Sequence, residues 1–194
     1  MNMQKTSVGR WMLWFFPGPL LLTILLLTGC GDDPQPPNEE ELITTVTVTL
    51  TPSEGNPITM TFKDLDGIGA GEPVYTYSSG GDAAVLSSTT TYTAEITLLN
   101  ESVSPAKNIT EEIEEEADQH LFCFTPEGGV NINVTYADED SNALPVGLTT
   151  NWETEDAGTG TITIALRHQP GNKTGVCPGS GDTDVQVVFN VVVE

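Results

Sequence analysis

The sequence contains little positive charge. Six Lys and Arg residues oppose 28 Asp and Glu residues, which gives a formal net charge of −22. Every acidic residue follows Cys30, whereas the only bases after it are Lys63, Lys107, Arg167 and Lys173. A surface of this sign repels nucleic acid and anionic lipid headgroups. We therefore predict no nucleic-acid partner. The negative charge either keeps the protein soluble or gives it an affinity for cations.

The sequence also lacks the signatures of catalysis. It has no GxSxG, HExxH, Walker or GxGxxG pattern. Residues 175–179 look superficially like a nucleophile elbow, but Pro178 and Gly179 oppose the helix that an elbow needs. We therefore predict that the protein is not an enzyme.

The first 29 residues have the layout of an export signal. Lys5 and Arg10 precede an apolar run that begins at Trp11 and is broken by proline and glycine at 17–19. The run is short for a bilayer span, which needs about 20 residues. It ends in small residues before Cys30 rather than in positive stop-transfer residues, which favours cleavage over a membrane anchor helix.

Leu27-Thr28-Gly29-Cys30 resembles the lipobox of bacterial lipoproteins. The resemblance implies that a diacylglycerol is attached to the Cys30 sulfur, that the chain is cut before Cys30, and that the new amino terminus is acylated. Because Gly31 and not Asp follows, it also implies a lipid anchor in the outer membrane, on its periplasmic or cell-surface face. Acidic, proline-rich residues then predict an extended tether. The predicted parts are a signal peptide (1–29), a tether (30–41) and a folded domain (42–194).

Apolar and polar residues alternate through most of the folded domain, which predicts β-strands. Regular alternation covers residues 46–50, 58–63, 92–98, 130–136, 162–167 and 185–194, and less regular strands are predicted at 74–77, 121–125 and 146–152. One-sided alternation is typical of antiparallel sheets with one wet face. About nine short strands predict an all-β, antiparallel β-sandwich. Val188 and Val192 add apolar residues to the second side of the last strand, which predicts that this strand is the most buried of the sheet strands.

The stretch from Leu86 to Ile96 resembles the fibronectin type III pattern Leu-x-x-x-Thr-x-Tyr-x-x-x-aliphatic. This resemblance implies an immunoglobulin-like or fibronectin-like sandwich with a tyrosine corner, in which the Tyr92 hydroxyl bonds to upstream backbone and Leu86 fills the core. Residues 126–194 are few for a domain of their own. We therefore expect one enlarged sandwich rather than two small domains.

One short acidic helix is predicted at residues 110–119, where Asn108 and Glu111 can form a capping box. The segment ITEEIEEEADQHLFCF, with TTTYTAEITLLNES before it, is similar to a group of uncharacterised acidic surface lipoproteins. Some of these are labelled type 1 periplasmic binding fold superfamily, which implies an α/β fold that binds small ligands. The sequence shows almost no helix and no βαβ alternation, so we expect the sandwich instead.

The two histidines are candidate metal ligands. Glu116 precedes His120 by four residues, the spacing that places two side chains on one helical face if the helix extends as far as His120. His168 continues the apolar face of the strand at 162–167. Two imidazoles and a carboxylate suit zinc or copper. The alternative is one histidine at the rim of a sheet and an unrelated one on the surface.

Asp138, Asp140 and Asn142 resemble the start of a calcium loop. Ala143 and Thr149 stand where the EF-hand pattern has Gly and Glu. The alternative is a hairpin turn in which Asp and Asn side chains cap backbone amides. No cofactor is therefore predicted with certainty, and a divalent cation is the one candidate.

Once Cys30 carries lipid, Cys123 and Cys177 are the remaining thiols. An exported compartment permits a disulfide between them, and two buried thiols are the alternative. Together these features predict a lipid-anchored, extracytoplasmic, non-catalytic binding or accessory module at the cell envelope, with a protein or transporter as its partner. Capture of a metal or small ligand for an outer-membrane transporter is the alternative function.

Overall fold

The computed structural model describes residues 41–66 and 71–194. Within them the chain forms eleven strands and one α-helix, so the predicted all-β class is confirmed. The elements are β1 (Thr45–Pro52), β2 (Ile58–Lys63), β3 (Val74–Tyr77), β4 (Ala84–Leu86), β5 (Thr91–Asn100), β6 (Lys107–Asn108), α1 (Ile109–Glu115), a 3₁₀ turn (Ala117–Gln119), β7 (His120–Gly128), β8 (Ile132–Tyr136), β9 (Thr149–Thr154), β10 (Gly158–His168) and β11 (Asp182–Val193). The signal peptide, the lipobox Cys30 and the tether up to residue 40 lie outside the described residues.

The strands form two sheets. The larger has the order β3-β2-β1-β5-β9-β8, with β6 beside β5, and the smaller has the order β4-β11-β10-β7. The pairing of β4 with β11 is parallel, whereas the long strands pair antiparallel. The described residues belong to one compact unit, and one core draws on both sheets. The finer expectation of an immunoglobulin-like or fibronectin-like topology stays a prediction.

The alternating strands bury their apolar sides against each other. In the larger sheet Val48 lies opposite both Met60 and Ile96, and in the smaller sheet Ile162 lies opposite Phe189. All five are buried. Burial of each such side chain contributes about 1.5–3 kcal/mol. The alternating apolar residues therefore provide most of the free energy that holds the two sheets together.

The tyrosine corner implied by the fibronectin resemblance is present in its local geometry. The Tyr92 hydroxyl accepts a hydrogen bond of 2.8 Å from the backbone N–H of Ser87. Tyr92 and Leu86 are both buried, and Trp152 lies opposite Tyr92 in the adjacent strand. The corner therefore fixes the turn that leads into β5.

The last strand is less buried than its sequence predicted. Val188 is 41% exposed, because it lies with the exposed Gln186 and Asn190 on the face of β11 that points away from the core. β4 pairs only with residues 191–193 of β11, so no described strand continues alongside the earlier residues. Two tyrosines of β3 cover that edge instead. The Tyr77 hydroxyl accepts a hydrogen bond of 3.1 Å from the Asn190 backbone N–H, and the Tyr75 hydroxyl is hydrogen-bonded to the Val188 backbone.

No helix among the described residues combines the length and the apolar character that crossing a bilayer requires.

Candidate metal centre

The acidic helix is shorter than predicted. It begins after Asn108, whose side chain accepts a hydrogen bond of 3.1 Å from Thr110 N–H and donates one of 2.8 Å to Glu111. It ends at Glu115, and the 3₁₀ turn leads directly into β7 at His120. Residues 120–123 are all buried, which suits a strand covered on both sides and not a helix with one apolar stripe. Glu116 and His120 therefore do not share one helical face.

The end of β10 nevertheless brings the second histidine to the first. His168 lies directly opposite His120 across β10 and β7, and directly opposed residues place their side chains on the same face of a sheet. The two imidazoles stack with centroids 4.6 Å apart and planes 9° apart. Both residues are buried, so the alternative of a rim histidine and an unrelated surface histidine does not describe this structure.

Glu116 completes a three-residue cluster. One ligand atom each from Glu116, His120 and His168 lies within 4.8 Å of the others. The Oε2 atom of Glu116 and the Nε2 atom of His120 are buried and have no hydrogen-bond partner. A buried polar atom left unsatisfied costs about 1–3 kcal/mol, so these two atoms are candidates for contact with an ion.

The backbone fixes which nitrogen of His120 is free to bind. Its Nδ1 lies 3.0 Å from the carbonyl oxygen of Glu116. A carbonyl only accepts, so Nδ1 carries the proton and the neutral ring presents a lone pair at Nε2. Burial lowers the pKa of His120 to about 4, although the bond to the Glu116 carbonyl acts in the opposite direction. A neutral imidazole oriented by a backbone carbonyl is the usual arrangement of a metal-binding histidine.

Two further carboxylates lie beside the cluster, and the sequence pointed to neither. The Oδ2 atom of Asp184 lies 3.6 Å from His120 Nε2, and the two side chains are 1% and 0% exposed. The Oε2 atom of Glu41 is also buried without a hydrogen-bond partner. Burial, followed by the charges of Glu112, Glu116 and Asp184, raises the pKa of Glu41 to about 6. The surroundings of the two histidines are therefore rich in carboxylate.

The predicted calcium loop uses its carboxylates otherwise. Asp138 accepts hydrogen bonds of 2.7 and 2.8 Å from the N–H groups of Gly147 and Thr149. Asp140 accepts bonds of 2.8 and 3.0 Å from the N–H groups of Asn142 and Leu144 through one oxygen. Such capping of backbone amides is the hairpin-turn alternative.

Asp140 also forms a buried ion pair. Its other oxygen lies 2.8 Å from Lys173 Nζ, and the side chains are 0% and 2% exposed. Burial alone would raise the pKa of Asp140, but the hydrogen bonds from Lys173 and the turn N–H groups outweigh it and hold the pKa below its ordinary value. With Lys173 bound there, the geometry favours a structural turn over a calcium site at Asp138, Asp140 and Asn142.

A disulfide fixes the loop that follows the second histidine. Cys123 on β7 is joined to Cys177 in the loop 169–181, with the sulfurs 2.01 Å apart. The same loop is held by Lys173, which donates a hydrogen bond of 2.7 Å to the Ala117 carbonyl, and by Gln169 N–H, which donates one of 2.6 Å to the Gln119 carbonyl. The elements around the cluster are therefore tied to one another.

Comparison with known proteins finds no family model, no curated protein and no solved structure that matches this chain.

Proposed function

We propose that the protein is a non-catalytic metal-binding lipoprotein of the cell envelope, which holds one divalent transition-metal ion at Glu116, His120 and His168. One observation carries the proposal. His120 is fully buried, and its Nε2 lone pair has no hydrogen-bond partner and faces a carboxylate oxygen. An ion at this point would satisfy the His120 nitrogen.

The ligand atoms favour zinc or copper over calcium. Imidazole nitrogen is a preferred ligand of zinc and copper, whereas calcium takes six to eight oxygens. Two buried histidines beside Glu116 match the first set. The nearby carboxylates of Asp184 and Glu41 add negative charge that a divalent cation would offset. We therefore expect zinc to bind and calcium not to compete.

Coordination requires a small movement of the rings. Each imidazole lone pair lies in the plane of its ring, and the planes of His120 and His168 are only 9° from parallel at a centroid distance of 4.6 Å. Two parallel lone pairs do not meet at one point. Binding of an ion by both rings must therefore tilt them toward each other, and this tilt gives the site a spectroscopic signature in the histidine ring resonances.

The lipobox that ends at Cys30 supports the proposed location. Lipid on Cys30 would anchor the chain in the outer membrane, and the acidic tether would hold the folded domain away from the surface. The Cys123–Cys177 disulfide suits an oxidising compartment outside the cytoplasm. In that position a bound metal ion could be passed to an outer-membrane transporter. If the chain binds no metal, the alternative is a purely accessory role at the envelope.

The test is metal binding by the full chain, expressed with its signal and purified from membranes without chelator. Elemental analysis should find about one zinc per chain, and titration after removal of metal should restore it. His168→Asn and Glu116→Gln should each weaken binding, because each removes one ligand. Glu114→Gln is the matched control, because it removes the same charge from an exposed position two residues before Glu116.

Binding of zinc by the Glu116→Gln and Glu114→Gln variants with equal affinity would show that the ion sits on the acidic surface and not at the cluster. A wild-type chain that binds no zinc at micromolar concentration would end the proposal outright.

A further inference from the structure

A long exposed loop lies against the proposed metal site. The loop, residues 169–181, contains no helix or strand and follows directly after His168 at the end of β10. Most of its residues are exposed, whereas Gln169 and the side chain of Lys173 are buried. Little apolar burial holds the loop in place, and a segment of this kind opens more readily than the sheets do.

The loop holds the segment that joins two of the proposed ligands. The 3₁₀ turn Ala117–Gln119 connects Glu116 to His120. Lys173 Nζ donates a hydrogen bond of 2.7 Å to the carbonyl of the first residue of this turn. The N–H of Gln169 donates one of 2.6 Å to the carbonyl of its last residue. The placement of Glu116 relative to His120 therefore depends on the loop.

The disulfide is a covalent tie between this loop and the strand of the first histidine. It joins Cys177 in the loop to Cys123, which follows His120 on β7. The loop is also held by the buried ion pair of Lys173 and by hydrogen bonds. When the loop opens, those hydrogen bonds are exchanged for bonds to water. Loss of the disulfide therefore removes the tie that water cannot replace.

The two sulfur-bearing residues differ in access to solvent. Cys177 is exposed, whereas Cys123 is only 6% exposed, so a reductant reaches the bond from the side of Cys177. A thiolate of a dithiol reductant attacks the Cys177 sulfur, and the Cys123 sulfur leaves as a thiolate that takes up a proton. The second thiol of the reductant then displaces Cys177 and closes the reductant's own disulfide. Two electrons and two protons thus pass from the dithiol to the protein.

We infer that the Cys123–Cys177 disulfide is a redox switch of the metal site: the oxidised protein holds the ion, and reduction by a dithiol opens the loop and releases the ion. The inference rests on the proposed function. Reduction removes none of the three ligands, but it frees the 3₁₀ turn that fixes the spacing of two of them. Interactions that orient metal ligands from outside typically contribute about 10–100-fold to affinity.

The experiment measures zinc binding by the full chain in its oxidised and reduced forms. The protein is purified from membranes, and a phosphine serves as the reductant because it adds no competing thiol. Competition with a chromophoric chelator gives the affinity, and excess chelator gives the rate of release. We expect reduction to weaken zinc binding by more than about tenfold and to speed release. Hydrogen exchange at the Gln169 N–H should also become faster in the reduced protein without metal.

Two variants separate the switch from other effects of reduction. Cys123→Ala/Cys177→Ala removes the bridge and leaves no thiol that could bind zinc itself. It should match the reduced wild type and show no response to the reductant. Leu50→Ala removes a buried side chain from β1, a strand that carries none of the proposed ligands. It lowers global stability, as loss of the disulfide does, but should leave the zinc affinity of the folded domain unchanged.

The outcomes separate the two claims. An oxidised wild-type chain that binds no zinc refutes the proposed function itself. If the oxidised chain binds zinc, and the reduced chain and the double cysteine variant bind it equally tightly and release it equally fast, only the switch is overturned. A loss on reduction that the double variant does not show would overturn it too, because free thiols would then be the cause. So would an equal loss in Leu50→Ala, because affinity would then follow global stability.

Discussion

Removal of the disulfide should destabilise the domain by about 4 kcal/mol. Cys123 and Cys177 are 54 residues apart in sequence, and closing a loop of that length restricts the unfolded chain by about this amount at 25 °C. The loss is large beside the total stability of about 5–15 kcal/mol that is typical of a domain. The double variant Cys123→Ala/Cys177→Ala removes the bridge and adds no polar group to the buried Cys123 position.

Urea denaturation measures the effect directly. Trp152 is fully buried and is the only tryptophan after Cys30, so its fluorescence reports on the folded domain. Reduced wild-type protein should unfold near the midpoint of the double variant. Val176→Ala, in the same loop and 64% exposed, should change the free energy of unfolding by less than about 0.5 kcal/mol.

A double variant within about 1 kcal/mol of the oxidised wild type would refute the reasoning, because the loop-closure term would then be absent. Free-thiol titration of denatured, unreduced protein identifies the cause. Two thiols per chain would show that the bridge does not form in the exported protein, and none would show that the loop constraint itself is weak.

Four further predictions concern the buried ionisable groups and the lipobox. Lys173→Met should lower the free energy of unfolding by about 3–5 kcal/mol in thermal or urea melts, because it leaves Asp140 buried without its ion pair. In chelator, His120 should destabilise the fold, by an amount on the order of 3 kcal/mol, as the pH falls from about 6.5 to 4, because the unfolded chain binds the proton more readily. Glu41 acts in the opposite sense: its contribution to the free energy of unfolding is complete below pH 4.5 and is lost as the pH rises through about 6. Melting temperatures measured against pH should lose the low-pH slope in His120→Phe and the slope near pH 6 in Glu41→Gln. A variant whose pH profile equals that of the wild type would contradict the assignment for that residue. Cys30→Ala should abolish incorporation of labelled fatty acid and membrane association in a lipoprotein-processing host, and an unchanged membrane fraction would exclude lipidation at this residue.

The sequence predicts most of the fold because most strands follow a simple rule. Most of the long strands alternate apolar and polar positions, as in β1 and β5, and burial of one side of such a strand fixes its face and therefore its register. The two strands that the sequence did not predict, β4 and β6, have three and two residues. Segments of that length contain no periodicity, and only their neighbours β11 and β5 make them strands.

The candidate site could be predicted only in part. The sequence correctly predicted the three residues that the structure brings together, Glu116, His120 and His168. The prediction used the spacing of the first two and the position of the third at the end of an apolar face. The reason given for Glu116 and His120 was wrong, because the helix ends before His120 and a 3₁₀ turn takes its place. Residues that lie outside a regular period could not be found in this way. Asp184 falls on the polar side of its strand pattern, and only the register shift against β10 turns it inward.

The edge of β11 has a consequence for how these proteins could sit beside one another. An open strand edge offers a row of N–H and C=O groups to any extended chain, and it invites self-association. Here the hydroxyls of Tyr75 and Tyr77 are hydrogen-bonded to the backbone of Val188 and Asn190. Both rings also pack edge-on against Phe189. A second chain would have to break both hydrogen bonds and displace both rings before it could add a strand. If the proposed lipid anchor holds many molecules in one membrane plane, this edge of β11 is already covered and would not pair with a neighbour.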